Sequence, residues 1–99
     1  MIGFYTKFIT AEADRDALIE LLSTAAASMD STEGSQIYIV NQDMKETGAI
    51  WVTEIWDSSE AHAASLQGEG AKELIGKAMP LLIARPLQIQ LVPIVGKGL

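Results

Sequence analysis

A chain of 99 residues, 48% hydrophobic and 20% charged, has the composition of one globular unit rather than a disordered segment. Its net charge of -6 and its scattered basic residues exclude a general phosphate-backbone binder and give no attraction to an anionic membrane surface. No cysteine means no disulfide, thiolate metal site or cysteine nucleophile, and a single histidine cannot build a usual zinc site, so no metal site of these kinds is expected.

The opening residues MIGFYTKFITAEAD lack the basic start and long apolar core of a signal peptide, and no apolar stretch reaches a bilayer span, so the expected location is the cytoplasm. Ile2 to Ile9 alternates, with Ile2, Phe4 and Phe8 on one side and Tyr5, Lys7 and Ile9 on the other, which predicts a strand. A helix is predicted over roughly Ala13 to Met29, because Leu18, Leu21, Leu22, Ala25 and Met29 fall on one face. Acidic Glu12, Asp14 and Asp16 near its start suit the macrodipole, and the polar run Asp30 to Gly34 ends it. Ser35 to Gln42 and Ala49 to Trp56 predict a hairpin of two strands around the turn-like Met44 to Gly48. Ile37 and Ile39 lie opposite Tyr38 and Val40; Val52, Glu54 and Trp56 lie opposite Trp51, Thr53 and Ile55.

Asp57-Ser-Ser-Glu60 has the form of a capping box opening a short helix to about Leu66. Gly68 and Gly70 interrupt it. A further helix is predicted from about Gly70 to Met79, with Ala71, Leu74, Ile75 and Ala78 on one face and Pro80 forcing an adjustment at its end. Leu87 to Val95 predicts the last strand, where Pro93 lacks an N–H and marks an edge, a bulge or a crossover into a partner. The order is βαββαβ, an α+β ferredoxin-like arrangement in a single domain over residues 1–99. Helices cover one face of such a sheet. Large apolar residues on both sides of the strands therefore predict a homodimer packed sheet to sheet.

The stretch Trp51-Val-Thr-Glu-Ile-Trp-Asp-Ser-Ser-Glu-Ala-His-Ala-Ala-Ser-Leu66 resembles the signature of the antibiotic biosynthesis monooxygenase family, in its small stand-alone members of quinol monooxygenase type. Ala78-Met-Pro-Leu-Leu82 and the ending Pro93 to Leu99 resemble one subgroup. The resemblance covers the whole chain in element order, and its specificity lies mainly between residues 49 and 83. It implies a dimeric α+β barrel with a pocket between sheet and helices in each protomer. It also implies oxidation of a small aromatic quinol or anthrone by O2, without metal or flavin.

That chemistry needs an apolar slot for a flat substrate, a group that takes a proton, and stabilisation of the resulting anion. His62, the only histidine, is a candidate base, with a packing or helix-surface histidine as the structural alternative. Many relatives carry an aromatic or aliphatic residue at the position of His62 and a histidine at that of Ser65, and this sequence departs from the pattern at both. Glu54 is a candidate base or anchor, or else a structural carboxylate. Trp56 is a candidate stacking wall, Tyr38 and Asn41 candidate hydrogen-bonding groups for a quinone oxygen, and Phe4, Phe8, Leu22 and Leu74 candidates for the apolar lining. Trp51 is expected at the dimer interface.

Two other functions compete with this one. One is a non-catalytic small-molecule binder or stress accessory on the same dimeric scaffold. The other is a haem-degrading relative, a subgroup that uses an Asn on the first strand, a Trp on the short helix and an axial His on the next. Counted without gaps from Trp56, those helix positions hold Ser65 and Ile75, and the first strand contains no Asn. Gly68 and Gly70 follow no strand, so the context of a nucleotide-binding loop is missing.

Overall fold

The computed structural model describes residues 1–99. Strand β1 (Ile2–Ile9) leads through a 3-10 turn at Glu12–Asp14 into helix α1 (Arg15–Ser28). Strands β2 (Ser35–Gln42) and β3 (Ala49–Trp56) form the hairpin. Helices α2 (Ser59–Ser65) and α3 (Glu69–Ala78) follow, then strand β4 (Leu87–Leu91). The sheet order is β2-β3-β1-β4 with every pair antiparallel, the ferredoxin-like α+β topology that the sequence pattern predicts. No helix is long and apolar enough to cross a membrane.

The two faces of the sheet follow from the register. Tyr38, Glu54, Phe4 and Gln90 form one cross-strand row, and Val40, Val52, Thr6 and Gln88 the next. This face meets the helices, and the core sits where Leu18 and Leu22 of α1 pack on Ile50 and Val52. On the open face the rows are Ile37–Ile55–Gly3–Leu91, Ile39–Thr53–Tyr5–Ile89 and Asn41–Trp51–Lys7–Leu87. Ile37, Ile39, Leu87, Ile89 and Leu91 are each more than a third exposed there, so one chain leaves an apolar sheet surface uncovered.

Two local expectations are corrected. The cap of α2 is Ser58, one residue later than the predicted box: its Oγ accepts from the Ala61 N–H at 3.1 Å. Asp57 still belongs to the strand end, since its N–H donates to Gly34 O at 2.8 Å and its carboxylate accepts from Gln36 Nε2 at 2.6 Å. Strand β4 stops at Leu91 rather than Val95. Gly3 pairs with Leu91, so β1 has almost no residues left to pair beyond it, and Pro93 offers no N–H.

Candidate functional site

Helix α3 shows why a cavity forms. Its apolar residues Ala71, Leu74, Ile75 and Ala78 share a face, as their spacing predicts, yet the helix has no buried residue. That face borders empty space of about 900 Å³ between the helices and the sheet. Leu21, Ala25 and Met29 of α1 and its surroundings line the same cavity, as do Leu22 and Phe8. The volume falls within the range of pockets for small organic ligands.

The sheet supplies the polar end. Tyr38 and Glu54 are direct cross-strand neighbours, and both line the cavity. Glu54 is 8% exposed, and its Oε1 accepts from the Trp56 indole N–H at 3.0 Å. His62 reaches in from α2, with Nε2 3.8 Å from Glu54 Oε1. Phe4 stacks on the imidazole with ring centroids 3.9 Å apart, and Trp56 meets it edge-on at 5.4 Å. These two rings fix the imidazole plane without hydrogen-bonding either nitrogen.

Burial sets the charge states. Loss of water pushes the Glu54 carboxyl above the usual carboxylate range, against the Trp56 N–H, which favours the anion. The same cause holds the His62 imidazole below its ordinary value. Burial thus draws the two proton affinities toward each other. Burial first, and the Glu54 charge second, keep the Tyr38 phenol protonated well above its usual range.

The structure thus brings His62, Glu54, Tyr38 and Leu74 to one cavity. Three other expected contacts lie elsewhere. Trp56 is 0% exposed and presents no surface to a ligand; it supports Glu54 from beneath. Phe4 is likewise buried, behind the imidazole. Asn41 points from the open face, where Nδ2 donates to Thr53 Oγ1 at 3.0 Å and to Trp51 O at 3.1 Å. Its position is odd-numbered where Tyr38 is even, so one strand sends the two to opposite sides. Sequence reasoning missed Thr6 and Gln88, joined at 3.1 Å on the cavity side. Thr6 shares the phase of Phe4 and Phe8 on β1, which was the available signal, and Gln88 follows from its pairing with Thr6. No three His, Cys, Asp or Glu side chains cluster as a metal site would need.

The sequence fits the description of the antibiotic biosynthesis monooxygenase family over residues 1–77. The chain belongs to that family. A Chloroflexus aurantiacus J-10-fl protein, provisionally named as an antibiotic biosynthesis monooxygenase, shares 39% identity at a TM-score of 0.86, with 98% of this chain and 96% of that one covered. A similarly named Caulobacter crescentus CB15 protein shares 19% identity at a TM-score of 0.88, covering 95% of this chain and 90% of that one. A third, from Nitrosomonas europaea, has a TM-score of 0.90 at 8% identity, covering 96% of this chain and all of that one, so the family's fold persists where its residues do not. No curated protein matches the chain.

Proposed function

We propose that the protein is a cofactor-independent monooxygenase that oxidises a small aromatic quinol or anthrone with O2. The observation that carries this reading is the His62–Glu54 pair, 3.8 Å apart, facing an apolar cavity of about 900 Å³. In an anthrone the acidic group is a ring CH2 beside the carbonyl system. Neutral His62 takes one of its protons, and Glu54 stabilises the imidazolium. The delocalised carbanion passes one electron to O2, and the radical pair closes to a carbon-bound peroxide. The peroxide takes up a proton, and loss of water, with the second ring proton, leaves a carbonyl. One oxygen atom enters the product and the other leaves as water. A Tyr38 hydroxyl held protonated is suited to donate a hydrogen bond to the developing oxyanion.

The reading includes a homodimer closed sheet to sheet. Five large aliphatic residues on the open face, Ile37, Ile39, Leu87, Ile89 and Leu91, support it, because a second copy supplies the matching apolar surface. Oxygen uptake with anthrone and menadiol tests the chemistry. Wild type should exceed buffer and heat-treated protein, and His62→Ala should lose about a hundredfold or more of that rate. Uptake equal to the controls ends the reading. Saturable binding of the same compounds without turnover would establish the non-catalytic binder instead.

A further inference from the structure

The ionisable side chains around the cavity are Tyr38, Glu54, His62, Glu73 and Lys77. The only cation among them, Lys77, stands at the rim, where it pairs with Glu73 at 3.1 Å with both side chains more than half exposed. Neither arginine is among the lining residues: Arg15 is engaged with Thr47 O and the Asp16 carboxylate, and Arg85 is exposed. The inner wall therefore holds a carboxyl group, a phenol and an imidazole, and no permanent positive charge. Glu54 Oε1 is occupied by the Trp56 N–H, whereas Oε2 and the Tyr38 hydroxyl take no hydrogen bond from the chain.

We propose that Glu54 makes this cavity a charge filter, admitting flat aromatic ligands that carry hydroxyl or carbonyl groups and rejecting those that carry a carboxylate or sulfonate. The inference rests on reading the cavity as the substrate site. A ligand hydroxyl can donate to Glu54 Oε2 and accept from Tyr38. A ligand carboxylate at the same place meets a like charge with little water to screen it and no cation to pair with. The raised proton affinity of Glu54 shows that the site already works against the single negative charge it holds.

Calorimetric titration of the full chain at pH 8 with 2-naphthol, 2-naphthoate and methyl 2-naphthoate tests the filter. The naphthol and the uncharged ester should bind, and the naphthoate should bind about tenfold or more weakly. Glu54→Gln keeps an acceptor for Trp56 and removes the charge, so it should narrow the gap by strengthening naphthoate binding. Naphthoate binding as tightly as naphthol overturns the proposal, as does binding of neither. An ester as weak as the naphthoate also overturns it, because shape and not charge would then decide; this comparison needs no variant. A gap unchanged in Glu54→Gln is equally fatal. Binding is read without turnover, so naphthol binding with no oxygen uptake on reduced quinones ends the monooxygenase reading and leaves the filter standing.

Discussion

Replacing Trp56 by Phe isolates the bond that holds the buried carboxylate. Trp56 is wholly covered, and its indole N–H donates to Glu54 Oε1 at 3.0 Å. Phe keeps most of the ring and its edge toward His62 but loses the donor. The smaller ring leaves a void costing on the order of 1 kcal/mol. A hydrogen bond to an ionised group contributes about 1.5–3 kcal/mol, and one to a neutral group about 0.5–1.5. The total loss is then about 2.5–4 kcal/mol with Glu54 ionised and about 1.5–2.5 with it protonated. Glu54 has a folded-state proton affinity raised by burial, so its contribution to stability is complete below the ordinary carboxylate range and is lost as pH rises through the folded value. Removing a donor that favours the anion raises that value further. Urea unfolding followed by far-UV circular dichroism, at fixed protein concentration, should show a larger penalty for Trp56→Phe at pH 8 than at pH 4.5. Referring each measurement to wild type cancels the contribution of His62, which both proteins share. A penalty independent of pH would mean that the indole does not bind the carboxylate form, and the account of the site's electrostatics would fail.

Glu54 and His62 should give opposite pH trends. His62 is depressed by burial, so its contribution is complete above about pH 6.5 and is lost as pH falls through the folded value. His62→Phe should therefore gain stability relative to wild type on acidification, and Glu54→Gln on moving to alkaline pH; parallel trends in urea midpoints would contradict this. Gly34 has φ +86°, and an added Cβ would lie 2.5 Å from Ala61 Cβ. Gly34→Ala should cost about 2–3 kcal/mol in chemical denaturation; made in an Ala61→Gly background, which itself loses about 1 kcal/mol of helix stability, the same change should cost only its backbone part of about 1 kcal/mol. Ile39 and Ile89 occupy the ends of the middle row on the open face. Ile89→Glu should convert a dimer into a monomer in analytical ultracentrifugation; a wild-type monomer at micromolar concentration would refute the sheet-to-sheet assembly.

The first three strands are legible to the residue because their alternation is anchored by aromatics. Phe4, Tyr38 and Trp56 cannot change face without moving every neighbour, so period two fixes both bounds and orientation. The fourth strand alternates from Leu87 to Leu91 and stays apolar to Val95, yet its length depends on its partner, and β1 has almost nothing left to offer beyond Gly3. A strand's end is a property of the pair, and one strand's sequence holds only half of it. The same limit shifted the helix cap: Asp57 and Ser58 are both good capping residues, and Asp57 is taken because its N–H and carboxylate bond to the start of β2.

The site was legible as a face but not in depth. Cross-strand register places Glu54, Tyr38 and Phe4 together, and parity with Tyr38 on the same strand turns Asn41 to the other face. Parity says nothing about which of those side chains a ligand can touch. That follows from where α2 crosses the sheet: it sets His62 over Phe4 and Trp56, covers both rings, and leaves Glu54 and Tyr38 at the cavity wall. Trp56, the stacking candidate, and Phe4, a lining candidate, are thus occupied in orienting one imidazole and one carboxylate. This division of labour follows from polarity. A ring can be buried completely at no electrostatic cost, whereas a carboxyl, a phenol and an imidazole keep a route to water or ligand unless every polar atom finds a partner. At the cavity's polar end, the groups that remain in reach are the ones the interior could not fully satisfy.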